Sequence, residues 1–185
     1  MDPKADERFT RIYETHYLAV LAYCARRVNR SDVEDVSSEV FTVLWRKMDA
    51  FDPAAPLPWL YKVALGRIRN RHRATRRSIA LIRKIGGTQS TTGSSAPDVV
   101  IVRNEQDEEA LRILARLREP DQEVIRLAIW EELSAKEIGL VLGCSTSAAE
   151  QRLHRAKKRL ARKFSPSPFY RSDASPEPLE EGGRP

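Results

Sequence analysis

Residues 133–160 read LSAKEIGLVLGCSTSAAEQRLHRAKKRL. Ser134-x-x-Glu137 is a capping box, in which the serine hydroxyl accepts from a free first-turn N–H and the glutamate reaches back to the N-cap N–H. It opens a short helix with Ile138, Val141 and Leu142 as its apolar positions. Gly143-Cys144-Ser145 makes a turn, and a second helix, rich in arginine and lysine, follows from about Ser147. A capped helix, a turn with glycine and a basic second helix match the helix-turn-helix arrangement, whose first helix seats the second in the DNA major groove. Thr146, Ser147, Ala148, Gln151 and Arg152 would then meet base edges, while Arg155, Lys157, Lys158, Arg159 and Arg162 would meet mostly phosphates. The plainer alternative is a helical hairpin with a solvated basic face; the cap, the glycine and the downstream charge together favour DNA.

Working outward, the helical period persists and period-two alternation is scarce, so an all-α fold is expected. Upstream, apolar positions recur at Leu111, Leu114 and Leu117, and after Pro120 at Val124, Leu127 and Ala128. Residues 78–103 lose the pattern, and their glycines, serines and threonines read as a flexible linker. Before it, Leu60, Val63, Ala64 and Ile68 mark a helix starting at Pro58, a residue suited to a first helical turn. Val33, Val36, Val40, Val43 and Leu44 mark another, with Ser31-x-x-Glu34 as its expected capping box. Phe9, Ile12, Tyr13, Tyr17, Val20, Leu21, Cys24 and Val28 form the first stripe. The expected layout is two small helical domains: a bundle over 5–77 and a helix-turn-helix domain over 104–164, joined by the 78–103 linker. A proline- and acid-rich tail, 165–185, is expected to be disordered.

The formal net charge of +6 suits a polyanionic partner, and its distribution says more. No acid lies between Asp52 and Asp98, where Lys62, Arg67, Arg69, Arg71, Arg73, Arg76 and Arg77 fall. At about 100° per residue, Lys62, Arg69 and Arg73 share one face of the helix from Pro58. Trp59, Gly66 and Asn70 lie beside that face and Tyr61 near its edge. Cations flanked by an aromatic suit a nucleic-acid backbone on whose path an unstacked base can rest; a core tryptophan is the equal alternative for Trp59. Asp32, Asp35 and Glu39 form an acidic edge on the preceding helix, with Phe41 and Trp45 on its other flank. The helix dipole accounts for acids in the first turn; Glu39 lies beyond it and points to a basic protein partner.

Other classes are disfavoured. Cys24 and Cys144 are far apart without metal-ligand spacing, so neither a disulfide scaffold nor a zinc site is expected. Tyr17–Ala25 is too short to span a bilayer, and the N-terminal residues lack an apolar signal core, so a cytoplasmic protein without membrane insertion is expected. His16, His72 and His154 stand in unrelated segments, and no nucleophile elbow or phosphate-cradling glycine loop occurs. No enzyme, cofactor or metal is expected.

In order, these pieces resemble the extracytoplasmic-function class of sigma factors. The resemblance rests on Asp32-Val33-Glu34-Asp35-Val36 with Glu39-Val40-Phe41 and Trp45, then Phe51-Asp52, then Pro58-Trp59-Leu60-Tyr61-Lys62-Val63-Ala64. In the second half it rests on Leu117, Glu123-Val124, Leu127, Glu132-Leu133-Ser134, Glu137-Ile138, Leu142-Gly143, and Arg152-Leu153-His154-Arg155-Ala156 with Leu160. The resemblance implies that Asp32, Asp35, Glu39, Phe41 and Trp45 dock on the clamp helices of the largest subunit of core RNA polymerase. It implies that Phe51, Asp52, Trp59, Tyr61, Lys62, Arg69, Asn70 and Arg73 recognise and open the −10 element, with a base flipped into a loop pocket. The C-terminal domain, through Thr146, Ser147, Ala148, Gln151, Arg152, Arg155 and Lys158, would bind the −35 element as duplex and touch the polymerase flap. A cytoplasmic, nucleoid-associated protein follows, and an anti-sigma factor is a common partner of the class. The chain departs from the usual pattern at Ala64-Leu65-Gly66, at Ala149-Glu150-Gln151-Arg152, and at Gly139, where alanine is usual. There, Glu150 reverses a charge at a phosphate position, or caps the helix through Ser147-x-x-Glu150. The rival reading is a stand-alone helix-turn-helix repressor or activator, which would bind a two-half-site operator without polymerase and has no need of the aromatic-flanked basic helix at Pro58.

Overall fold

The computed structural model describes residues 3–48, 51, 54–84, 110 and 112–164. All regular structure among them is helical: α1 (Pro3–Ala25), α2 (Val33–Arg46), α3 (Pro56–Lys84), α4 (Glu119–Ile129), α5 (Ala135–Leu142) and α6 (Thr146–Phe164). Asp52, linker residues 85–103 and the tail 165–185 lie outside the described residues.

The N-terminal bundle closes α1, α2 and α3 on one another. The α2 positions Val33, Val36, Val40 and Leu44 are all buried, a spacing that places them on one side of the helix. Ile12, Val20 and Cys24 meet them from α1, and Leu60, Ala64 and Ile68 from α3. Burial pushes the Cys24 thiol up to about 11, so it packs as an inert apolar residue. Phe41 is buried as well, with Tyr13 edge-on at 4.7 Å. The buried arc of α3 is wider than its apolar stripe, because Tyr61 and Leu65 are also buried. That is the side on which the C-terminal domain packs, through α5.

Three helix starts depend on more than local sequence. Ser31 sits inside a single 3-10 turn, Arg30–Asp32, and α2 begins at Val33 with no side-chain cap, so the expected Ser31–Glu34 capping box is not formed. Burial of Val33 and Val36 sets where this helix starts, overriding a local preference worth about 1 kcal/mol. Helix α3 begins at Pro56 rather than Pro58. Both prolines fall in the first turn, where N–H groups lack intrahelical partners, so neither interrupts the ladder; the first bond runs from Trp59 N–H to the Ala55 carbonyl at 3.4 Å. The same helix continues through residues 78–84, read from sequence as linker.

The helix-turn-helix starts as its sequence indicates. Ser134 N–H donates to Glu137 Oε2 at 2.8 Å and the Ser134 hydroxyl accepts from Glu137 N–H, completing the box. The Ser134 hydroxyl also donates to Glu137 Oε2 at 2.6 Å, and that bond first, then the one from Ser134 N–H, holds the Glu137 carboxyl below its ordinary pKa. Gly143 ends α5 at φ 68°, a left-handed conformation that glycine adopts without strain. Helix α6 then begins at Thr146, and Ser145, not Ser147, supplies the cap: its hydroxyl accepts from Ala148 N–H at 3.2 Å. Ala149 and Ala156, both fully buried, let α6 approach α4 and α5 closely.

Candidate nucleic-acid and polymerase interfaces

Three charged surfaces follow from how α2, α3 and α6 are held. On α3, Lys62, Arg69, Asn70 and Arg73 are exposed along one face, opposite buried Leu60, Ala64 and Ile68. Arg73 donates to Asn70 Oδ1 at 2.7 Å, while Lys62 and Arg69 make no ion pair among the described residues. Trp59 lies half-buried with its ring edge-on to Phe51 at 5.1 Å, so Phe51, itself buried, supports the tryptophan from the α2–α3 loop. Tyr61 does not join the exposed basic face. It is buried, stacked on Tyr23 at 4.5 Å, with Glu131 of the C-terminal domain against it; burial and that carboxylate push its hydroxyl pKa up.

The acidic edge of α2 is not free. Arg71 of α3 reaches Asp32 at 3.2 Å, Asp35 at 3.6 Å and Glu39 at 4.0 Å, and Arg67 reaches Glu39 at 3.6 Å. Asp35 and Glu39 keep 71% and 48% of their side-chain surface open, so these contacts are solvent-screened and exchange readily for other cations. Phe41 lies beneath this edge in the core, and Trp45 is half-buried with Phe9 edge-on at 5.1 Å. Of the five residues read as a docking surface, only the carboxylates present charge to solvent.

On α6, Thr146, Ser147, Gln151, Arg152, Arg155 and Lys158 are exposed and Ala148 is half-buried. Arg159 is held instead by a two-pronged pair with Asp121 at 2.7–2.8 Å, which ties α6 to α4. Arg152, Arg155 and Arg159 line one side of a cleft of about 400 Å³ whose other side holds Arg69 of α3. The two cationic helices therefore face one another across the domain boundary.

Sequence reasoning did not find the residues that join the domains. Arg27, in the turn just past α1, meets Glu123 of α4 at 3.1 Å and Glu131 at 2.9 Å. Arg26 meets Glu131 at 2.6 Å, and Tyr23 donates to Glu123 at 3.0 Å. The one local hint is the pair Arg26-Arg27 set between Cys24 and Val28, the last two positions of an apolar stripe.

The family described as Sigma-70 region 2 matches residues 12–78, and that described as Sigma-70, region 4 matches 107–160. The RNA polymerase sigma factor NccH of Alcaligenes xylosoxydans xylosoxydans is 28% identical over 176 residues, covering 86% of this chain and 94% of that protein. The ECF RNA polymerase sigma factor SigW of Bacillus subtilis is 25% identical over 167 residues, covering 85% and 89%. Among solved structures, CnrH in complex with the cytosolic domain of CnrY superposes with a TM-score of 0.58 at 25% identity, covering 85% of this chain and 88% of that one. The chain belongs to the extracytoplasmic-function class of RNA polymerase sigma factors. It is a promoter-specific transcription-initiation factor and not an enzyme, which sets aside the stand-alone repressor.

Proposed function

We propose that region 2 of this chain reads and opens the −10 element with the exposed face of α3, while region 4 reads the −35 duplex with α6. One observation carries this: two cationic helices in a single chain, each bearing an arginine that makes no ion pair among the described residues, Arg69 on α3 and Arg152 on α6. Lys62, Arg69 and Arg73 track the phosphate backbone, and Trp59, propped by Phe51, offers a ring for an unstacked base. Thr146, Ser147, Ala148, Gln151 and Arg152 meet base edges in the major groove, and Arg155 and Lys158 meet phosphates. Asp52 belongs to the −10 loop on the strength of the family resemblance. Tyr61 joins the −10 surface only when the C-terminal domain moves off it.

Asp32, Asp35 and Glu39 dock on a basic surface of core polymerase, exchanging Arg67 and Arg71 for the partner's cations. The protein works in the cytoplasm at the nucleoid. An anti-sigma factor is a fitting partner, since RpoE, a sigma factor of the same fold, is seen in complex with the anti-sigma factor NepR. The test is run-off transcription with purified core polymerase on a genomic library. Defined start sites that need both core and this chain are expected. Tight operator binding by the isolated chain, with no effect on core, would overturn the reading.

A further inference from the structure

We propose that the cleft between α3 and α6 is a binding site for a compact polyphosphate, gripped by the guanidinium groups of Arg69, Arg152 and Arg155. The site goes beyond promoter reading and does not rest on it; only the competition with DNA drawn below does.

Charge is balanced unevenly where the two domains meet. Beside α1, the cations that reach across find carboxylates: Arg26 has Glu131 at 2.6 Å, and Arg27 has Glu123 at 3.1 Å and Glu131 at 2.9 Å. Arg76 of α3 likewise has Glu119 at 3.3 Å. Beside α6 that balance fails. The cleft there encloses about 400 Å³, and the one carboxylate among its described lining residues is Asp121. Both oxygens of Asp121 already accept from Arg159, at 2.8 and 2.7 Å, so that pair is neutral. Arg69, Arg152 and Arg155 remain, and none of them makes an ion pair among the described residues. Arg155 Nε donates to the Gln151 carbonyl at 3.2 Å, which leaves its terminal nitrogens for a ligand. Like charges gathered at one cleft repel, and an anion that enters relieves the repulsion while gaining charge-assisted hydrogen bonds.

The donors select the kind of anion. A guanidinium presents a planar fork that matches two oxygens of one phosphate. Arg152 and Arg155, three apart, share a side of α6, and Arg69 meets them from α3. Forks set at separate points around one cleft suit linked phosphates better than a single small ion. The volume falls within the range of small-molecule sites. Pro120 and Leu142 add an apolar stretch of wall, a seat for a nucleoside carried on those phosphates. Arg69 and Arg152 are also the arginines assigned above to DNA. A fork that holds a ligand phosphate is not free for the promoter, so polyphosphate and DNA should compete.

The test titrates the full chain calorimetrically, at about 0.15 M salt, with inorganic tripolyphosphate, with adenosine and guanosine triphosphates, and with sulfate as the simple-anion control. Saturable binding of tripolyphosphate, at least about tenfold tighter than sulfate, is expected. Equal affinity for the nucleotides assigns the site to the phosphate chain alone, and tighter nucleotide binding adds the nucleoside seat; either supports the proposal. Arg69→Gln in region 2 and Arg152→Gln in region 4 should each weaken tripolyphosphate about tenfold. Arg152→Lys should weaken it too, because lysine keeps the charge and loses the fork. Arg46→Gln, exposed at the end of α2 and outside the cleft, should change nothing. Tripolyphosphate should also raise the melting temperature of the parent and not of Arg69→Gln, which separates lost binding from lost folding. Binding no tighter than sulfate would mean an adventitious ion only and overturns the site. So does full affinity in Arg152→Lys, or a loss confined to one of the two domains. For the competition, fluorescence anisotropy of a −35 duplex is followed as tripolyphosphate is added, and displacement is expected where sulfate of equal ionic strength gives none. A duplex that stays bound at saturating tripolyphosphate overturns the competition. Failure of the promoter reading would look different: tripolyphosphate bound as expected, but no preference for a −35 duplex over an unrelated one.

Discussion

Adding one methyl group at each of two helical glycines should move stability in opposite directions. A Cβ on Gly139 would stand 2.8 Å from the Cys144 carbonyl oxygen and 3.4–3.5 Å from the carbonyl group of Ser145. The first contact is shorter than side-chain Cβ atoms tolerate, and its partner is backbone. Cys144 N–H is itself bonded to the Gly139 carbonyl at 2.9 Å, and Ser145 caps α6, so the turn cannot yield without loosening both. Overpacking of this kind costs about 1–3 kcal/mol, and the strained turn bond is worth about 1 kcal/mol more. Alanine's better helix propensity returns about 1 kcal/mol. Gly139→Ala should therefore destabilise region 4 by about 1–3 kcal/mol, and each kcal/mol is worth roughly 4–8 °C in a domain this small. Gly66 on α3 has nothing within 4 Å of its would-be Cβ and lies exposed in mid-helix, so Gly66→Ala should stabilise region 2 by about 0.5–1 kcal/mol. Thermal unfolding followed by circular dichroism reads both, and duplex binding should weaken for Gly139→Ala alone if the turn sets the pose of α6. A melting temperature unchanged or raised by Gly139→Ala would refute the tight turn as the reason for this glycine.

Ser134→Ala should cost region 4 about 1 kcal/mol through loss of the cap. Because the folded-state pKa of Glu137 is depressed, its stabilisation is present above the unfolded carboxylate pKa and is lost as pH falls through the lower folded value. Ser134→Ala should therefore flatten the acid limb of a stability-versus-pH curve, and an unaltered limb would contradict the cap. Asp35→Arg with Glu39→Arg should abolish co-purification with core polymerase while shifting the melting temperature little, since both carboxylates sit in exposed pairs; undiminished co-purification would remove the docking edge. Arg152→Ala should weaken binding to the −35 duplex by about 1–3 kcal/mol and relax its sequence preference. A uniform loss across sequences would assign Arg152 to a phosphate instead.

How legible each part was in the sequence depended on how local its physics is. The Ser134 cap, the Gly143 turn and the basic α6 are settled within a few residues of one another, and each was readable. The start of α2 was not, because burying Val33 and Val36 outweighed a capping box that local sequence offered at Ser31. Aromatic exposure was the weakest inference. Phe41, Phe51 and Tyr61 were read as surface contacts and are all buried, since periodicity places a ring on one side of a helix without saying what packs there. The Tyr23–Glu123 bond joins residues 100 apart, and a glutamate on α4 carries no local mark of being buried.

The basic run between Asp52 and Asp98 shows how an unbroken stretch of charge divides once it is wound into a helix. Arg67 and Arg71, four apart, share the side of α3 that lies on α2, and there they neutralise Asp32, Asp35 and Glu39. Lys62, Arg69 and Arg73 fall on the opposite side, and Arg76 turns toward Glu119. One acid-free run therefore divides in three: part balances the α2 carboxylates proposed to dock on polymerase, part forms the face proposed for DNA, and part meets region 4. Its total charge overstates the field at the DNA face, because two arginines are already paired with acids from another helix. A polymerase that draws the α2 carboxylates away would leave Arg67 and Arg71 without those partners, across α3 from the face proposed for DNA and about 10 Å from it, roughly one Debye length. Docking of core would then raise the positive potential along α3, so binding the enzyme and binding the promoter should strengthen one another through Arg71.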